Sequence, residues 1–249
     1  MGRSSGSPVC RGGFLAGIKI QTGKNINIFT EFCMNTQAVL FDLDGTLADT
    51  ALDLGGALNT LLRRRGLPEK SMAEIRPVAS HGAAGLLQLG AGIEKSHPEF
   101  AQWRQDYLAE YERCFDCDTV LFAGINELIA ALDARGIVWG IITNKPHTFT
   151  HRLVPKLGFA SAPAVVVSGD TCSRAKPATE PMFYACAQIG VAAGQCVYVG
   201  DAERDMQAGR NAGMKTVLAD WGYIAAGDDT GAWPFDRRIG QPLDLLDCL

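Results

Sequence analysis

The sequence predicts an α/β fold in which an open parallel sheet is layered with helices and a helical insertion follows the first strand. Three observations carry that prediction. From residue 123 onward, short apolar runs alternate with segments of helical periodicity, the pattern of strand–helix–strand crossovers in a parallel sheet. A first apolar run, Ala38-Val39-Leu40-Phe41, stands far upstream of that series and has the length of a buried strand. Between the two, residues 51–122 keep helical spacing with no strand pattern, which predicts a separate helical unit. The expected division is an N-terminal extension over 1–33, a sheet domain built from 34–50 and 123–249, and a helical domain over 51–122.

The elements follow in order. After the opening strand, residues 51–66 alternate Ala, Leu and polar positions at helical spacing and stop at Gly66, a residue suited to a helix C-terminus. Ala83–Leu89 is apolar, and Glu99–Glu112 carries Phe100, Trp103, Tyr107, Leu108 and Tyr111 at steps of three and four, an amphipathic helix. Ile125–Arg135 reads as a helix closed by Gly136, Ile137–Ile142 as a buried strand, and Phe149–Leu157 as a helix before Gly158. Ala164–Val167, Cys196–Val199 and Thr216–Ala219 are strand-like, with helices at Glu180–Ile189 and Glu203–Ala212.

Composition bounds the function. The 249 residues are 47% hydrophobic and 20% charged, with a formal net charge of −4, the profile of a globular chain and not of a disordered one. Lys and Arg are dispersed, and Arg63-Arg64-Arg65 is the one tight basic run, so a nucleic-acid partner is not expected. No stretch approaches the roughly 20 apolar residues of a membrane span. The eight cysteines are irregularly spaced, which suggests reduced thiols and a cytoplasmic protein. Cys114-Phe115-Asp116-Cys117 lacks the second pair that a zinc site needs. Residues 1–33 hold one short apolar patch, Phe14–Ile18, without a cleavage signature, and Met34 is the expected start of the folded protein. A monomer and a homodimer both remain open.

Four polar clusters end the predicted strands or stand in the loops between them. Ala38–Phe41 closes in Asp42-Leu43-Asp44-Gly45-Thr46, the strand ending at Ile142 in Thr143-Asn144-Lys145-Pro146, and the strand ending at Val199 in Gly200-Asp201-Ala202-Glu203-Arg204-Asp205. Lys176-Pro177 stands in the loop before the helix at Glu180. Taken singly, each could be a turn or a helix cap. In an open α/β sheet, however, the carboxyl ends of the strands are where ligands gather. Asp42, Asp44, Asp201 and Asp205 crowded there would raise one another's pKa values. A divalent hard cation removes that penalty, and carboxylates are ligands that Mg²⁺ favours beside a substrate phosphate. A phosphate would then meet the metal, the Lys176 ammonium, and the hydroxyl and backbone amides of Thr143 and Asn144 at an expected helix start. Asp42 would stand in line to attack phosphorus.

In order and spacing these motifs resemble those of the haloacid dehalogenase superfamily: Asp42-x-Asp44-Gly45-Thr46, then Thr143, then Lys176-Pro177, then Gly200-Asp201-x-x-x-Asp205. The resemblance implies a Rossmann-like parallel-sheet core with an inserted helical cap of the C1 type, and a Mg²⁺-dependent phosphomonoesterase. It implies Asp42 as nucleophile and Asp44 as general acid and base. Thr143, Asn144 and Lys176 would hold the phosphoryl oxygens. The metal would be bound by the Asp42 carboxylate, the Asp44 backbone carbonyl and Asp201, with Asp205 in support. Asp44 argues against dehalogenase or P-type ATPase chemistry, while a phosphomutase and a non-catalytic phosphate-binding protein on the same fold are the remaining alternatives.

Within the superfamily the chain looks most like phosphoglycolate phosphatases. Trp139–Pro146, Gly222-Tyr223-Ile224, Asp228-Asp229, Trp233 and Pro242–Leu245 also resemble N-acetylmuramic acid 6-phosphate phosphatases. Both substrates are small phosphate monoesters bearing a carboxylate. Ser80–Gly85 resembles the cap loop that reaches such an active site, which makes His81 and Gly82 candidates for substrate selection.

Overall fold

The computed structural model describes Met1 and residues 36–249; the expectations for the N-terminal extension and for Met34 lie outside the described residues. The central strand β1 (Ala38–Phe41) is flanked by β4 (Val138–Ile142) and β6 (Cys196–Gly200), both parallel to it. Outward from β4 lies β5 (Val166–Val167), and outward from β6 lie β7 (Lys215–Ala219) and β8 (Arg237–Ile239), all parallel, in the order β5-β4-β1-β6-β7-β8.

The apolar runs are buried on both faces because successive side chains point to opposite sides of a sheet. Val39 and Phe41 of β1 join Val197 and Val199 of β6 in one core. Ala38 and Leu40 join Cys196 and Tyr198 in the core on the opposite face. The first core continues into the helical insertion through Leu54, Leu58, Leu61 and Leu62. Helices α5 (Ile125–Ala134), α6 (His147–Leu153), α7 (Glu180–Ile189) and α8 (Glu203–Asn211) alternate with the strands, as the crossovers require.

Between residues 50 and 120 the chain forms α1 (Ala51–Arg64), a short α2 (Met72–Ile75), a 3₁₀ turn over Arg76–His81, α3 (Gly82–Ala91) and α4 (Phe100–Tyr111). The sequence reading is corrected in three places. Residues 51–122 contain a strand after all: β3 (Val120–Leu121) pairs antiparallel with β2 (Ala48–Asp49), a ribbon too short to leave a periodicity signal. The edge strand β8 has no apolar run; its Arg237-Arg238-Ile239 pattern is that of a half-solvated edge. Helix α6 begins at His147 and gives way to a 3₁₀ turn over Val154–Lys156, where Pro155 removes a backbone donor. No described helix is long and apolar enough to cross a membrane.

The insertion leaves and rejoins the sheet through the β2–β3 ribbon, beside a polar knot around Tyr223. The Tyr223 hydroxyl accepts from Thr50 N–H (2.7 Å) and Ala51 N–H (3.0 Å) and donates to Asp49 Oδ1 (2.9 Å). Arg76 donates to Asp49 Oδ2 at 2.8 Å. Burial opposes ionisation of Asp49, but the hydrogen bonds from Arg76 and Tyr223 prevail and hold its carboxyl below the ordinary range. Tyr223→Phe strands the buried Thr50 N–H and leaves the Ala51 N–H only its 3.3 Å bond to Asp49 Oδ1; it is expected to destabilise the protein by about 1–3 kcal/mol, read by urea denaturation, because an unpaired buried donor keeps its desolvation cost. An unchanged unfolding midpoint would contradict this role for the hydroxyl.

Candidate active site

The site is built where β1 and β6 end. Asp42 follows the last residue of β1; its N–H continues the sheet by donating to Val199 O at 2.9 Å. This places the carboxylate at the strand tip, 2% exposed. Asp201 follows β6 and Asp205 lies in the first turn of α8. The Asp42, Asp201 and Asp205 side chains each offer an oxygen within 4.8 Å of the others. Glycine makes the approach possible. A Cβ on Gly45, whose φ is +85°, would collide with the Asp201 carboxylate, and one on Gly222 would collide with the Asp201 side chain.

Lys176 supplies the counter-charge. Its Nζ is 2.9 Å from Asp42 Oδ1 and 2.7 Å from Asp205 Oδ1, and it also donates to Ile142 O and Tyr198 OH at 2.8 Å each. One ammonium, with three protons, thus faces four oxygens. Asp205 Oδ1 accepts no well-formed hydrogen bond and has only that ionic contact. Arg204 lies 4.0 Å from Asp42 Oδ2. Two cations therefore face three buried carboxylates. Burial first, then the charges of Asp42 and Asp205, push the Asp201 carboxyl up to about 7, and burial also raises Asp42 against the pull of Lys176. A surplus of buried carboxylate oxygen is the donor chemistry that a hard divalent cation fits, so Asp42, Asp201 and Asp205 could hold one.

The other expected residues converge on the same place. The Asp44 carboxylate is not part of the acidic triad; its Oδ1 accepts from Lys145 Nζ and from the Thr50 hydroxyl, both at 2.7 Å. Thr143 follows β4; its N–H is used by Val167 O and its hydroxyl accepts from Lys145 N–H, which leaves the hydroxyl proton free for an anion. The Asn144 side chain clasps the Lys176 backbone, donating to its carbonyl at 2.9 Å and accepting from its N–H at 3.0 Å. Asn144 thereby fixes the lysine loop, committing its side-chain oxygen and one of its two amide protons there. Thr143 and Asn144 precede α6 by several residues, so the expected placement at a helix start does not hold; Pro146 is the residue that caps the helix.

All of these except Asp201 and Asp205 line one cavity of about 770 Å³, with His81 and Gly82 on its insertion side. Partial burial and repulsion from Arg204 hold His81 below its ordinary pKa. Sequence reasoning passed over four participants. Lys145 and Arg204 stood within the polar clusters and were legible as charges beside carboxylates. Ser80, whose hydroxyl donates to Asp201 Oδ2 at 2.7 Å, stood in the loop expected to reach the site but was not singled out there, and Tyr223, whose N–H donates to the same oxygen at 2.8 Å, acts across a distant part of the chain and left no local signal of that role.

The Asp201 shift sets a pH signature. The folded state favours the protonated acid, so in metal-free protein the contribution of this group to stability is complete below about pH 4. It is lost as pH rises through about 7. A cation binds the ionised form, so Mg²⁺ used as the probe is expected to raise the melting temperature much more at pH 8 than at pH 5. Equal Mg²⁺ shifts at the two pH values, or none, would contradict a cation site at this triad.

Residues 39–219 match the family of haloacid dehalogenase-like hydrolases. A phosphoglycolate phosphatase from Xanthomonas campestris is 42% identical over 215 residues, covering 84% of this chain and 94% of that protein. An N-acetylmuramic acid 6-phosphate phosphatase from Pseudomonas aeruginosa is 36% identical over 216 residues, covering 87% and 96%. Among solved structures, that of a predicted phosphoglycolate phosphatase from Haemophilus somnus superposes with a TM-score of 0.75 at 25% identity, over 86% of this chain and 98% of that one. With the motif residues gathered at the strand tips and the match spanning most of the sheet and the insertion, the chain belongs to the haloacid dehalogenase-like hydrolase family.

Proposed function

We propose that the protein is a Mg²⁺-dependent phosphomonoesterase that works through an aspartyl-phosphate on Asp42, with a small carboxylated phosphate ester as substrate. The observation that carries this reading is the buried Asp42 carboxylate on the wall of a 770 Å³ cavity, with Lys176 at 2.9 Å. A carboxylate held by a cation at a strand tip is a nucleophile in a fixed position.

Asp42 attacks phosphorus. As the phosphorus–ester oxygen bond breaks, Asp44 gives its proton to the leaving alkoxide, so the alcohol departs neutral. Asp44, then ionised, takes a proton from a water that attacks the same phosphorus; the acyl–phosphate bond breaks, and Asp42 and inorganic phosphate are released. The Lys145 contact at 2.7 Å orients the Asp44 carboxyl toward the cavity it shares with Asp42. The Thr143 hydroxyl, the Asn144 N–H and Lys176 hold the phosphoryl oxygens. Asp42, Asp201, Asp205 and the Asp44 backbone carbonyl would bind Mg²⁺, which when present neutralises charge on the transferring group. Residues 51–122 act as a cap that closes over the cavity and excludes water, with the β2–β3 ribbon as its hinge.

Two relatives frame the ester. The Xanthomonas protein is named for phosphoglycolate and the Pseudomonas protein for N-acetylmuramic acid 6-phosphate; both names describe a phosphate monoester bearing a carboxylate. Asp42→Asn is expected to lower kcat on p-nitrophenyl phosphate by at least about 10³-fold, since the carboxamide cannot form the covalent intermediate. It is also expected to keep or raise the metal-free melting temperature, because one of three mutually repelling carboxylates is removed. Full activity in a folded Asp42→Asn protein would overturn the mechanism.

A further inference from the structure

Eight charged side chains line the cavity. The carboxylates are Asp42, Asp44 and Glu94, and the cations are Lys95, Arg104, Lys145, Lys176 and Arg204. Most are matched. Lys176 and Arg204 face Asp42, Lys145 faces Asp44, and Glu94 accepts from the Gln88 amide at 3.2 Å. Arg104 and Lys95, which line the cavity at its solvent-exposed side, have no ion-pair, hydrogen-bond or ring partner within the described residues.

The position of Arg104 on its helix gives this weight. Arg104, Tyr107, Leu108 and Tyr111 all line the cavity, and their spacing of three, four and seven puts them on one face of α4. Charges nearby on the same helix are neutralised: Asp106 by Arg65 and Glu110 by Arg64. The arginine turned to the cavity is the one left without a counter-ion. Its neighbours Tyr107 and Tyr111 are stacked, with centroids 6.2 Å apart, and Tyr111 packs on Phe149, so that stretch of the cavity wall is backed by aromatic side chains at most 5% exposed.

We infer that Arg104, assisted by Lys95, binds the carboxylate of a phosphorylated sugar acid whose ring lies against the aromatic wall while its phosphate sits at Asp42. Arginine is the side chain suited to this, since its planar fork engages a carboxylate through two parallel hydrogen bonds. The volume points the same way: 770 Å³ lies toward the upper end of cavities that enclose drug-sized ligands. In 2-phosphoglycolate one methylene separates carboxylate from ester oxygen, so that molecule occupies a small part of the space and holds both anions beside the catalytic carboxylates. This assignment rests on the phosphomonoesterase reading and adds the substrate class and the residue that selects it.

The test compares kcat/KM of the Mg²⁺-loaded protein for N-acetylmuramic acid 6-phosphate and for N-acetylglucosamine 6-phosphate, the same sugar phosphate without the lactyl carboxylate. 2-Phosphoglycolate and p-nitrophenyl phosphate are run beside them. The wild type is expected to favour the carboxylated sugar over the neutral one by roughly 10- to 100-fold, the range for a charge-assisted contact made inside a site. Arg104→Ala is expected to collapse that ratio toward one, chiefly through KM, and Arg104→Lys to restore part of it. A wild-type ratio near one, an Arg104→Ala ratio equal to the wild type's, or a clear preference for 2-phosphoglycolate would overturn the assignment while leaving the phosphatase reading in place. Absence of p-nitrophenyl phosphate hydrolysis by folded wild-type protein would overturn both.

Discussion

Three carboxylates buried together where β1 and β6 end and α8 begins carry a large desolvation and repulsion cost, and much of the remaining architecture answers that cost. Asp42, Asp201 and Asp205 are at most 2% exposed, and among the described residues Lys176 and Arg204 are the cations beside Asp42 and Asp205, so the ionised cluster has a net negative charge. The consequence is visible in Asp201, driven up to about 7. A divalent cation held by the triad would turn that net charge positive, which favours an incoming phosphate dianion.

The sheet meets this cost through position. Parallel strands buried on both faces place their tips together without freedom to splay, and Gly45 and Gly222 let the backbone close around Asp201. Lys176 belongs to a loop with little regular structure of its own, yet its ammonium is fixed by four oxygens and its backbone by the Asn144 side chain. The insertion is coupled to the same cluster. Ser80, from its 3₁₀ turn, reaches Asp201, and Tyr223 binds Asp201 through its N–H while tying down Thr50 and Ala51 through its hydroxyl. The residues that set the charge and the segment that covers the cavity therefore share hydrogen-bond partners.

Much of this was legible in the sequence where the signal is local. The runs Ala38–Phe41, Ile137–Ile142 and Cys196–Val199 were readable as strands because burial on both faces forbids polar residues, and the polar clusters after them were readable as strand tips. Asp42, Thr143, Lys176, Asp201 and Asp205 converge as expected. Features made by distant partners were not legible. The ribbon of Ala48–Asp49 with Val120–Leu121 is two residues long on each side, and β8 is defined by its register on β7 and not by its composition. Tyr223 read as one aromatic among several; only the folded chain brings its hydroxyl to Thr50. Asn144 illustrates the same limit: its backbone amide was the group expected beside the phosphate, and the role of its side chain in clasping the lysine loop is made by a partner 32 residues away.

The central claim is covalent: phosphoryl transfer passes through Asp42. It is tested most directly by mixing the Mg²⁺-loaded protein with substrate, quenching in acid within the first turnover, and mapping the peptides by mass spectrometry. The account predicts one phosphoryl group on the peptide containing Asp42, labile to hydroxylamine as an acyl phosphate is, appearing before free inorganic phosphate accumulates. Release of inorganic phosphate in that first turnover, with no phosphorylated Asp42 peptide at any quench time, would contradict it.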